Sequence, residues 1–415
     1  ELAGQDIPLI LNSTPGVYAT QSGGGDGDAR ISIRGFNQRN VAVMIDGIPM
    51  NDMENGWVYW SNWFGLDVMT KTIQVQRGLG ASKLAIPAVG GTMNILTSGI
   101  DSKEGLKFSQ NIGGNGYLKT TLGYNSGKLK NGWAYSLATS YKKSKGWVDQ
   151  TWSTGNFYYL KVQKKIKNHQ LSFTAFGAPQ SHGQRSYKKE ISLYDKSFAA
   201  DLGIDTTGVD GDYGLQYNEH WGKLNRYKVN FDENGNPIDT LFAQNETLNS
   251  KMNYYHKPQL SLNHLWAASN KLVVSNILYA SLGNGGGTGV NPSLGSANYN
   301  ENNQIDFQSI YDNNAGNTRH SFLGDPSIDH NYSSTEHKST QFIRSSINNH
   351  RWFGLLSTYN LEASKELTLS GGIDLRHYTG QHYREVYDLL GGDYYVANEN
   401  VAASDSSAVI RKGDK

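Results

Sequence analysis

Residues 133–142 read Trp-Ala-Tyr-Ser-Leu-Ala-Thr-Ser-Tyr-Lys, a stretch in which large side chains alternate with small or polar ones. Successive side chains of a β-strand point to opposite faces, so one face would carry Trp133, Tyr135, Leu137 and Tyr141. The other face would carry alanine, serine and lysine. This period of two predicts a strand whose two faces meet different environments.

The same alternation recurs along most of the chain after residue 100. It predicts further strands near residues 106–112, 117–125, 158–167, 170–175, 256–266, 271–282, 352–362 and 367–376. Together with residues 133–142 they make about nine strands.

The connections between these strands alternate in length. Short turns are predicted near residues 129–132, 167–169, 267–270 and 363–366, and much longer segments near 178–253 and 283–349. A transmembrane β-barrel has short turns at its periplasmic rim and long loops at its outer rim. A soluble β-sandwich also alternates apolar and polar residues, but it has no reason for unequal connections. The pattern therefore favours a barrel.

The composition agrees with a barrel and excludes several kinds of site. The 415 residues include 47 Gly, 25 Tyr and 9 Trp but no Cys. Glycine suits crowded backbone, and aromatic rings suit the interfaces of a bilayer. The lack of cysteine excludes disulfides, thiolate metal sites and a cysteine nucleophile. With 38 basic and 37 acidic side chains the formal net charge is +1, which gives no field that favours nucleic acid.

The hydropathy pattern excludes a helical membrane protein but not a barrel. The mean hydropathy is -0.56, and no run approaches the roughly 18 to 20 apolar residues that a membrane helix needs. In a barrel only every second residue meets lipid. About nine strands do not make the even number that closes a bacterial barrel. We therefore expect the chain to be part of a larger protein, beginning within it or after processing.

Residues 1–100 are organised differently from the rest. Short apolar strands are predicted at Ile31–Arg34, Val41–Ile45, Thr72–Gln76 and Thr92–Leu96, separated by Gly- and Asp-rich loops. We expect a compact mixed domain at residues 1–100. Residues 101–415 would then form the N-terminal part of a transmembrane β-barrel with long extracellular loops.

Four motifs in the first domain follow one another in a fixed order. They are Ile31-Ser-Ile-Arg-Gly-Phe-Asn37, Val41-Ala-Val-Met-Ile-Asp-Gly-Ile-Pro49, Ile73-Gln-Val-Gln-Arg-Gly78 with Gly80-Ala-Ser82, and Val89-Gly-Gly-Thr-Met-Asn-Ile95. In this order and spacing they resemble the plug domain of TonB-dependent outer-membrane receptors. Segments Asn51–Gly65 and Phe173–Gly183 resemble receptors of the Bacteroidetes type.

The resemblance implies a fold that is mainly β. A mixed α+β plug would sit inside a large antiparallel transmembrane β-barrel of about 22 strands, of which about 9–10 fall in this chain. A barrel of that width is too wide for its own side chains to fill, so a separate domain must block it. Gln74 stands where the family often has Glu, so the charge network around Arg77 is expected to differ.

The resemblance also implies a function and partners. Such receptors sit in the bacterial outer membrane and take up a scarce nutrient with energy from the TonB–ExbB–ExbD complex. A ferric siderophore is the first expectation for the small nutrient ligand, and cobalamin, a glycan or a peptide are alternatives. Outer-membrane lipid and a surface lipoprotein are further expected partners, and nucleic acid is not. The segment that contacts TonB would precede Glu1.

Two other classes of function compete with transport. A surface-binding protein, such as an adhesin or phage receptor, would use only the loops. A soluble all-β binding or carbohydrate-active domain would need no membrane. The plug motifs favour transport over the first, and the unequal connections favour a barrel over the second.

Arg34 and Arg77 match the two plug arginines of the family, which pair with barrel carboxylates. We interpret both as residues that lock the plug in the barrel. Removing the partner of a buried charge costs about 3–5 kcal/mol, which makes such pairs effective locks.

Two plug segments are expected to face outward and contact the ligand. The candidate residues are Gln38, Arg39, Asn51, Asp52, Glu54, Trp57, Tyr59, Trp60 and Trp63. Broad rings and polar tips in one short loop suit recognition. The alternative is that these rings pack against the barrel wall. The Gly283–Gly289 cluster is expected in one of the long outer loops.

No other chemistry is indicated by residue spacing. The histidines are scattered and none lies in a plug motif, which gives no support to a haem or zinc site. No Ser/His/Asp or paired-carboxylate grouping is visible, so we expect no enzyme activity and no cofactor.

Overall fold

The structure, a computed structural model, describes residues 7–21, 29–77, 88–186, 189–209, 211–318, 325–397 and 408–415. Within these ranges no helix is both long enough and apolar enough to cross a membrane.

The first part of the chain forms two small sheets. Its elements are α1 (Ile7–Ile10), β1 (Val17–Gln21), β2 (Ala29–Ile33), β3 (Phe36–Asn37), β4 (Val41–Ile45), β5 (Ile48–Pro49), β6 (Thr70–Arg77) and β7 (Gly91–Thr97). Strands β1, β2 and β3 form an antiparallel sheet. The second sheet has the order β5-β4-β7-β6, with β4 and β7 parallel. The four strands predicted in this region are confirmed as β2, β4, β6 and β7.

From residue 105 the chain forms one large antiparallel sheet, here called the barrel sheet, with extra elements in its long connections. The elements are β8 (Gly105–Ile112), β9 (Leu118–Asn125), β10 (Trp133–Ser144), β11 (Ser153–Ile166), β12 (His169–Gly177), β13 (Gln180–Gly183), α2 (Ile191–Tyr194), α3 (Lys196–Asp201), β14 (Trp221–Phe231), β15 (Pro237–Asn249), β16 (Met252–His256), β17 (Gln259–Ala267), β18 (Leu272–Asn291), α4 (Phe307–Asn314), β19 (Phe342–Glu362), β20 (Thr368–Asp388), β21 (Tyr395–Ala397) and β22 (Ala408–Ile410). Hairpins β14–β15 and β21–β22 lie outside this sheet.

In the described part of the chain, the 11 strand segments of the barrel sheet lie side by side as nine strands, as predicted. Both β12 and β13 pair with β11, and both β16 and β17 pair with β18, so each pair is one strand interrupted once. The interruptions contain Pro179 and Pro258, and a proline has no N–H for the ladder. Each of the nine strands pairs with its neighbours in sequence.

The connections reproduce the predicted asymmetry. One rim has the short turns 126–132, 167–168, 268–271 and 363–367. The other rim has the shorter connections 113–117 and 145–152 and the two long connections 184–251 and 292–341. We call these the short-turn rim and the long-loop rim. The division of the chain at residue 100 stays a prediction. The plug sheets and the barrel sheet share no strand.

The strands are longer toward the long-loop rim than the sequence indicated. The prediction that Gly283–Gly289 lies in a loop is wrong, since β18 continues to Asn291 and pairs with β19. The glycines are required by close packing. A Cβ on Gly283 would lie 2.5 Å from Tyr255 Oη, and one on Gly286 would lie 2.6 Å from Ser345 Oγ. The segment 178–253 likewise is not a plain loop, because it contains β13 and the β14–β15 hairpin.

The two faces of the barrel sheet differ as the alternation predicted. Tyr135 and Leu137 are exposed on the outer face, while Ala134 and Ser136 are buried on the inner face. The inner face packs against the plug in one continuous apolar core. From the barrel sheet this core includes Phe157, Tyr159, Phe176, Ile277, Tyr279, Trp352 and Leu356, and from the plug Trp63, Phe64, Leu66 and Met69.

Candidate functional site

The plug loop, residues 50–64, is held at its base by a buried asparagine. Asn51 Oδ1 accepts a hydrogen bond from the Val43 backbone N–H at 2.8 Å, and its Nδ2 donates to the Val41 carbonyl at 2.9 Å. It also donates to the Gly56 carbonyl across the loop at 3.1 Å. Asn51 therefore fixes the loop to β4 and lies beneath the surface that a ligand could reach.

Three more of the predicted ligand residues are part of the support. Gln38 is buried, its Oε1 accepts from Trp60 Nε1 at 3.2 Å, and its Nε2 donates to the Val58 carbonyl at 3.2 Å. Trp60 and Trp63 are also buried and meet edge to face, with ring centroids 6.5 Å apart. For these two tryptophans the structure agrees with packing against the barrel wall.

Arg39 and Trp57 form a separate pair beside the loop. The Arg39 guanidinium lies 4.5 Å from the centre of the Trp57 ring, and Arg30 lies over the same ring at 5.3 Å. Such stacking of cations on an indole is stabilising by electrostatic attraction to the ring. Neither Arg39 nor Trp57 lines the cavity described next.

The remaining candidates, Asp52, Glu54 and Tyr59, line a cavity between the plug loop and the barrel wall. Its volume is about 290 Å³. The plug contributes Asp52, Glu54, Asn55, Tyr59, Ser61 and Asn62, and the barrel contributes Gln184, Asn253, Tyr255, Lys257, Asn348, His350 and His382. Asn253, Tyr255, Asn348, His350 and His382 lie on the portions of β16, β19 and β20 nearer the long-loop rim, and Gln184 and Lys257 directly follow β13 and β16. The cavity therefore faces the side of the molecule that carries the long loops.

Polar contacts cross this cavity from plug to barrel. His382 Nε2 lies 2.8 Å from Glu54 Oε1, and its Nδ1 lies 2.8 Å from Asn348 Oδ1. His350 Nδ1 lies 3.8 Å from Asp52 Oδ2 and also contacts the Tyr378 hydroxyl. The two plug carboxylates are thus each matched by one barrel histidine.

The site is shaped by a glycine on β20, the strand that also carries His382. A Cβ on Gly380 would lie 2.3 Å from Glu54 Oε1 and 2.7 Å from His382 Nε2. No real side chain tolerates such distances, so the contact between Glu54 and His382 occupies the space that glycine leaves free.

The carboxyl of Glu54 is stabilised in its charged form. Burial raises the pKa of Glu54, but hydrogen bonds from His382 and Tyr378 and the attraction of His382 and His350 lower it, and the net pKa lies below the ordinary value. A carboxylate that accepts hydrogen bonds loses its proton more readily. Glu54 is therefore an anion at neutral pH.

Lys257 adds a buried amine at the base of the cavity. Its ammonium lies 5.1 Å from the centre of the Trp352 ring and 5.9 Å from that of Trp63. Among the described residues no cluster of three or more His, Cys, Asp or Glu side chains suited to a metal ion is found. The cavity offers hydroxyl, amide, imidazole and ammonium donors together with two carboxylates.

The barrel half of this site was missed from the sequence. The alternation predicts a strand that begins near residue 352, so Asn348 and His350 fall in a predicted loop. In the structure β19 begins at Phe342. His382 lies beyond the predicted end near residue 376, and β20 runs to Asp388. Extending the period of two into these segments would have placed Asn348, His350 and His382 on one face.

Of the two predicted locking arginines, the structure describes one side chain. Arg34 is exposed, adopts a left-handed backbone with φ of 54°, and is paired with no carboxylate among the described residues. Arg77 ends β6, but its side chain lies outside the described residues, as do Gly78 and Gly80–Ser82. The locking role of both arginines stays a prediction.

The predicted locks pair a basic residue of the plug with an acidic residue of the barrel. In the plug–barrel ion pairs that the structure describes, the charges are reversed. Lys161 of β11 lies 3.0 Å from Asp46, and Lys119 of β9 lies 2.9 Å from Asp67. Lys161 Nζ also donates to Thr97 Oγ1 at 2.8 Å, and Thr97 donates to Asp46 at 2.6 Å. Here aspartates of the plug bind lysines of the barrel wall.

Comparisons with known proteins agree with this arrangement. Residues 1–92 match the family described as the TonB-dependent Receptor Plug Domain. The vitamin B12 transporter BtuB of Vibrio vulnificus (strain CMCP6) is 25% identical over 164 residues, which are 40% of this chain and 26% of that protein. BtuB of Vibrio cholerae (strain M66-2) is 30% identical over 116 residues, which are 28% of this chain and 19% of that protein.

Solved structures extend the likeness to the whole chain. The unliganded ferric citrate transporter FecA has a TM-score of 0.58 at 15% identity, covering 99% of this chain and 50% of FecA. The closed form of the ferric-catecholate import receptor Fiu from E. coli has a TM-score of 0.58 at 13% identity, covering 99% of this chain and 49% of Fiu. The chain thus spans about half the length of these two solved proteins. The plug match, the curated relatives and the shared fold assign the chain to the TonB-dependent outer-membrane receptors, proteins of the bacterial outer membrane.

Proposed function

We propose that the protein takes up a scarce nutrient across the outer membrane with energy from the TonB–ExbB–ExbD complex, and that the nutrient is a ferric siderophore. The observation that carries this proposal is the cavity of about 290 Å³ whose walls come from both plug and barrel. A ligand bound there touches the domain that must move and the domain that stays in the membrane. Ligand binding and movement of the plug are then coupled at the same site.

The lining of the cavity supports a cargo rich in oxygen. The donors include the imidazole of His382, the ammonium of Lys257 and the amides of Asn253 and Asn348. These groups match the carboxylate, catecholate or hydroxamate oxygens that surround iron in a siderophore. Pockets of this kind place a few polar groups to fix the orientation of the ligand.

A specific observation favours cobalamin as the second candidate. The curated relatives with the matches given above are vitamin B12 transporters. Growth separates the two cargoes. A host strain lacking the receptor should lose growth on a ferric siderophore as iron source and keep growth on limiting cobalamin. The reverse result would make cobalamin the cargo, and siderophore uptake that survives deletion of TonB would contradict energy-coupled transport.

The cavity is tested with the full-length receptor. Replacing Glu54 and Tyr59 together by alanine should weaken cargo binding at least about tenfold, because both side chains line the cavity. Trp57→Ala is the matched control, since Trp57 lies on the same loop but outside the lining. Affinity measured by titration calorimetry should change little in this control. Equal losses in both proteins would mean that the loop as a whole, and not the cavity, binds the cargo.

A further inference from the structure

The outer face of the barrel sheet carries a row of polar side chains near the short-turn rim. They come from four adjacent strands and are joined by hydrogen bonds. Ser357 Oγ donates to Asn276 Oδ1 at 2.7 Å, Asn276 Nδ2 lies 3.4 Å from His264 Nδ1, and His264 Nε2 lies 3.0 Å from His169 Nδ1. We call these four residues the outer polar row.

The register of the strands places the outer polar row against lipid. His264, Asn276 and Ser357 are successive partners across β17, β18 and β19. The next row on the same face, farther from the short-turn rim, contains the exposed side chains Phe173, Leu262, Leu278, Leu355 and Leu375. The outer polar row therefore lies at the edge of the apolar belt.

Aromatic rings mark the same level of the barrel. Trp266 and Tyr359 are exposed on this face, in the row nearest the short turns. The His169 ring lies nearly parallel to that of Trp266, with centroids 5.6 Å apart. Aromatic girdles of membrane barrels lie at the level of the lipid headgroups. The outer polar row is thus close to the headgroups of the leaflet on the short-turn side.

The hydrogen bonds of the row all run in one direction. The Asn276 amide donates to His264 Nδ1, so the proton of the neutral His264 ring is on Nε2, which donates to His169 Nδ1. The neutral His169 ring then carries its own proton on Nε2. For that atom no acceptor is found among the described residues. The row therefore ends in a donor at the level of the lipid headgroups, where a headgroup oxygen or water can accept its hydrogen bond.

Two lysines lie near the short-turn end of β11: Lys164 is directed toward Trp133 of β10, away from His169, and Lys167 lies in the turn that leads into His169. Lys164, on the neighbouring strand β11, faces the same side as its partner Leu171. Its ammonium lies 4.8 Å from the centre of the Trp133 ring and donates to the Asn131 carbonyl at 2.8 Å. Lys167 is exposed in the adjoining turn. An acceptor that is also an anion is therefore favoured beside His169.

We propose that His169, at the end of the outer polar row, binds the phosphate group of a glycerophospholipid in the periplasmic leaflet of the outer membrane. The acyl chains of the lipid lie on the apolar belt, and its phosphate accepts the hydrogen bond of His169 Nε2 and lies beside Lys167. Such a lipid supplies both the missing acceptor and the opposite charge. The site is separate from the cargo cavity, which lies inside the barrel near the other rim.

The test uses the full-length receptor, stripped of lipid in detergent and titrated with phosphatidylglycerol, with native mass spectrometry counting bound lipid. Diacylglycerol with the same acyl chains is the probe without phosphate. Wild-type receptor should retain phosphatidylglycerol at least about tenfold better than diacylglycerol, as expected for a hydrogen bond to a charged group. His169→Phe keeps an aromatic ring beside Trp266 and should remove this preference. His169→Gln, which can both accept and donate, should restore it.

A matched variant and a second probe complete the experiment. His377→Phe removes another histidine from the outer face, in the row of Phe353, and should leave the preference unchanged. Inorganic phosphate at equal concentration should not displace the lipid, and displacement would mean that free phosphate and not lipid is the ligand. Folding of each variant is checked by its heat-dependent shift in gel mobility. Equal retention of both lipids by wild type, or an unchanged preference in folded His169→Phe, would overturn the proposal.

Discussion

At the scale of single residues, the contact between Glu54 and His382 is the most sensitive feature of the cavity. It joins the plug loop to β20 and lies in space that a side chain at position 380 would fill. Both partners are well exposed, so the contact adds little to stability. Its effect is to hold the plug loop in position beside β20. This makes it suitable as a contact that a ligand can replace.

The contact should depend on pH in a defined direction. The pKa of Glu54 is lowered in the folded protein from its ordinary value of 4.5, so its contribution to stability is complete above that value. The contribution is lost as the pH falls through the lowered pKa. Wild type should melt at a higher temperature than Glu54→Gln at pH 7, and the difference should vanish in acid once the pH lies below the lowered pKa of Glu54. Glu366→Gln, in an exposed turn, is the control, and a difference that persists in acid would contradict the assignment.

Gly380 should be energetically coupled to Glu54. In Gly380→Ala the new methyl group would displace the Glu54 carboxylate, which is 2.3 Å from the site of the Cβ. The expected loss is below about 1 kcal/mol, the range of exposed ion pairs. In a Glu54→Ala background the same change should cost less, and a double-mutant cycle of thermal midpoints measures the difference. Gly105→Ala, where nothing lies within 4 Å of the Cβ, should show no coupling.

At the scale of strands, alternation defines which side chains meet lipid. Leu355 is exposed on the outer face of β19, in the row of Leu278 and Leu375, whereas Leu356 is buried against the plug. A strand can hold both because its side chains point to opposite faces. The same alternation continues in β18, β19 and β20, which extend farther toward the long-loop rim than the sequence predicts.

An arginine on the outer face should destabilise the barrel. Leu355→Arg, one row inside the edge of the apolar belt, should cost about 1–2 kcal/mol, between the values for a cation at the interface and at the middle of the bilayer. Thr358→Arg, on the opposite face of the same strand, should cost much less, because that face lines the interior. Urea unfolding of the full-length receptor in lipid vesicles measures both. Similar losses for the two variants would contradict the assignment of the faces.

At the scale of the whole molecule, the plug and barrel are joined by buried ion pairs beneath the apolar core. The Lys161–Asp46 pair has side chains that are 8% and 13% exposed, whereas those of Lys71–Asp101 are 46% and 80% exposed. Transport requires the plug to shift, so pairs of the first kind set part of the resistance to that movement.

Breaking the buried pair should loosen the plug. Lys161→Met leaves Asp46 buried without a counter-ion and should cost about 3–5 kcal/mol of plug stability. Lys71→Met should cost less than about 1 kcal/mol, since that pair is exposed. Proteolysis of the plug at increasing urea concentration measures each variant, and adding Asp46→Asn to Lys161→Met should recover part of the loss. If Lys71→Met were as damaging as Lys161→Met, burial would not be what makes the pair strong.

The sequence by itself determined the fold class, the order of the strands and the orientation of each face, because a period of two and the lengths of connections are local properties. It also indicated the plug through motifs whose residues form β2, β4, β6 and β7. Only the tertiary structure decided which candidates face the cavity. Four of them support the plug loop through buried contacts, namely Gln38, Asn51, Trp60 and Trp63. The sequence did not indicate this, because the partners of these residues lie elsewhere in the chain. Glu54 meets His382 across 328 positions, and no local pattern encodes a contact of that separation.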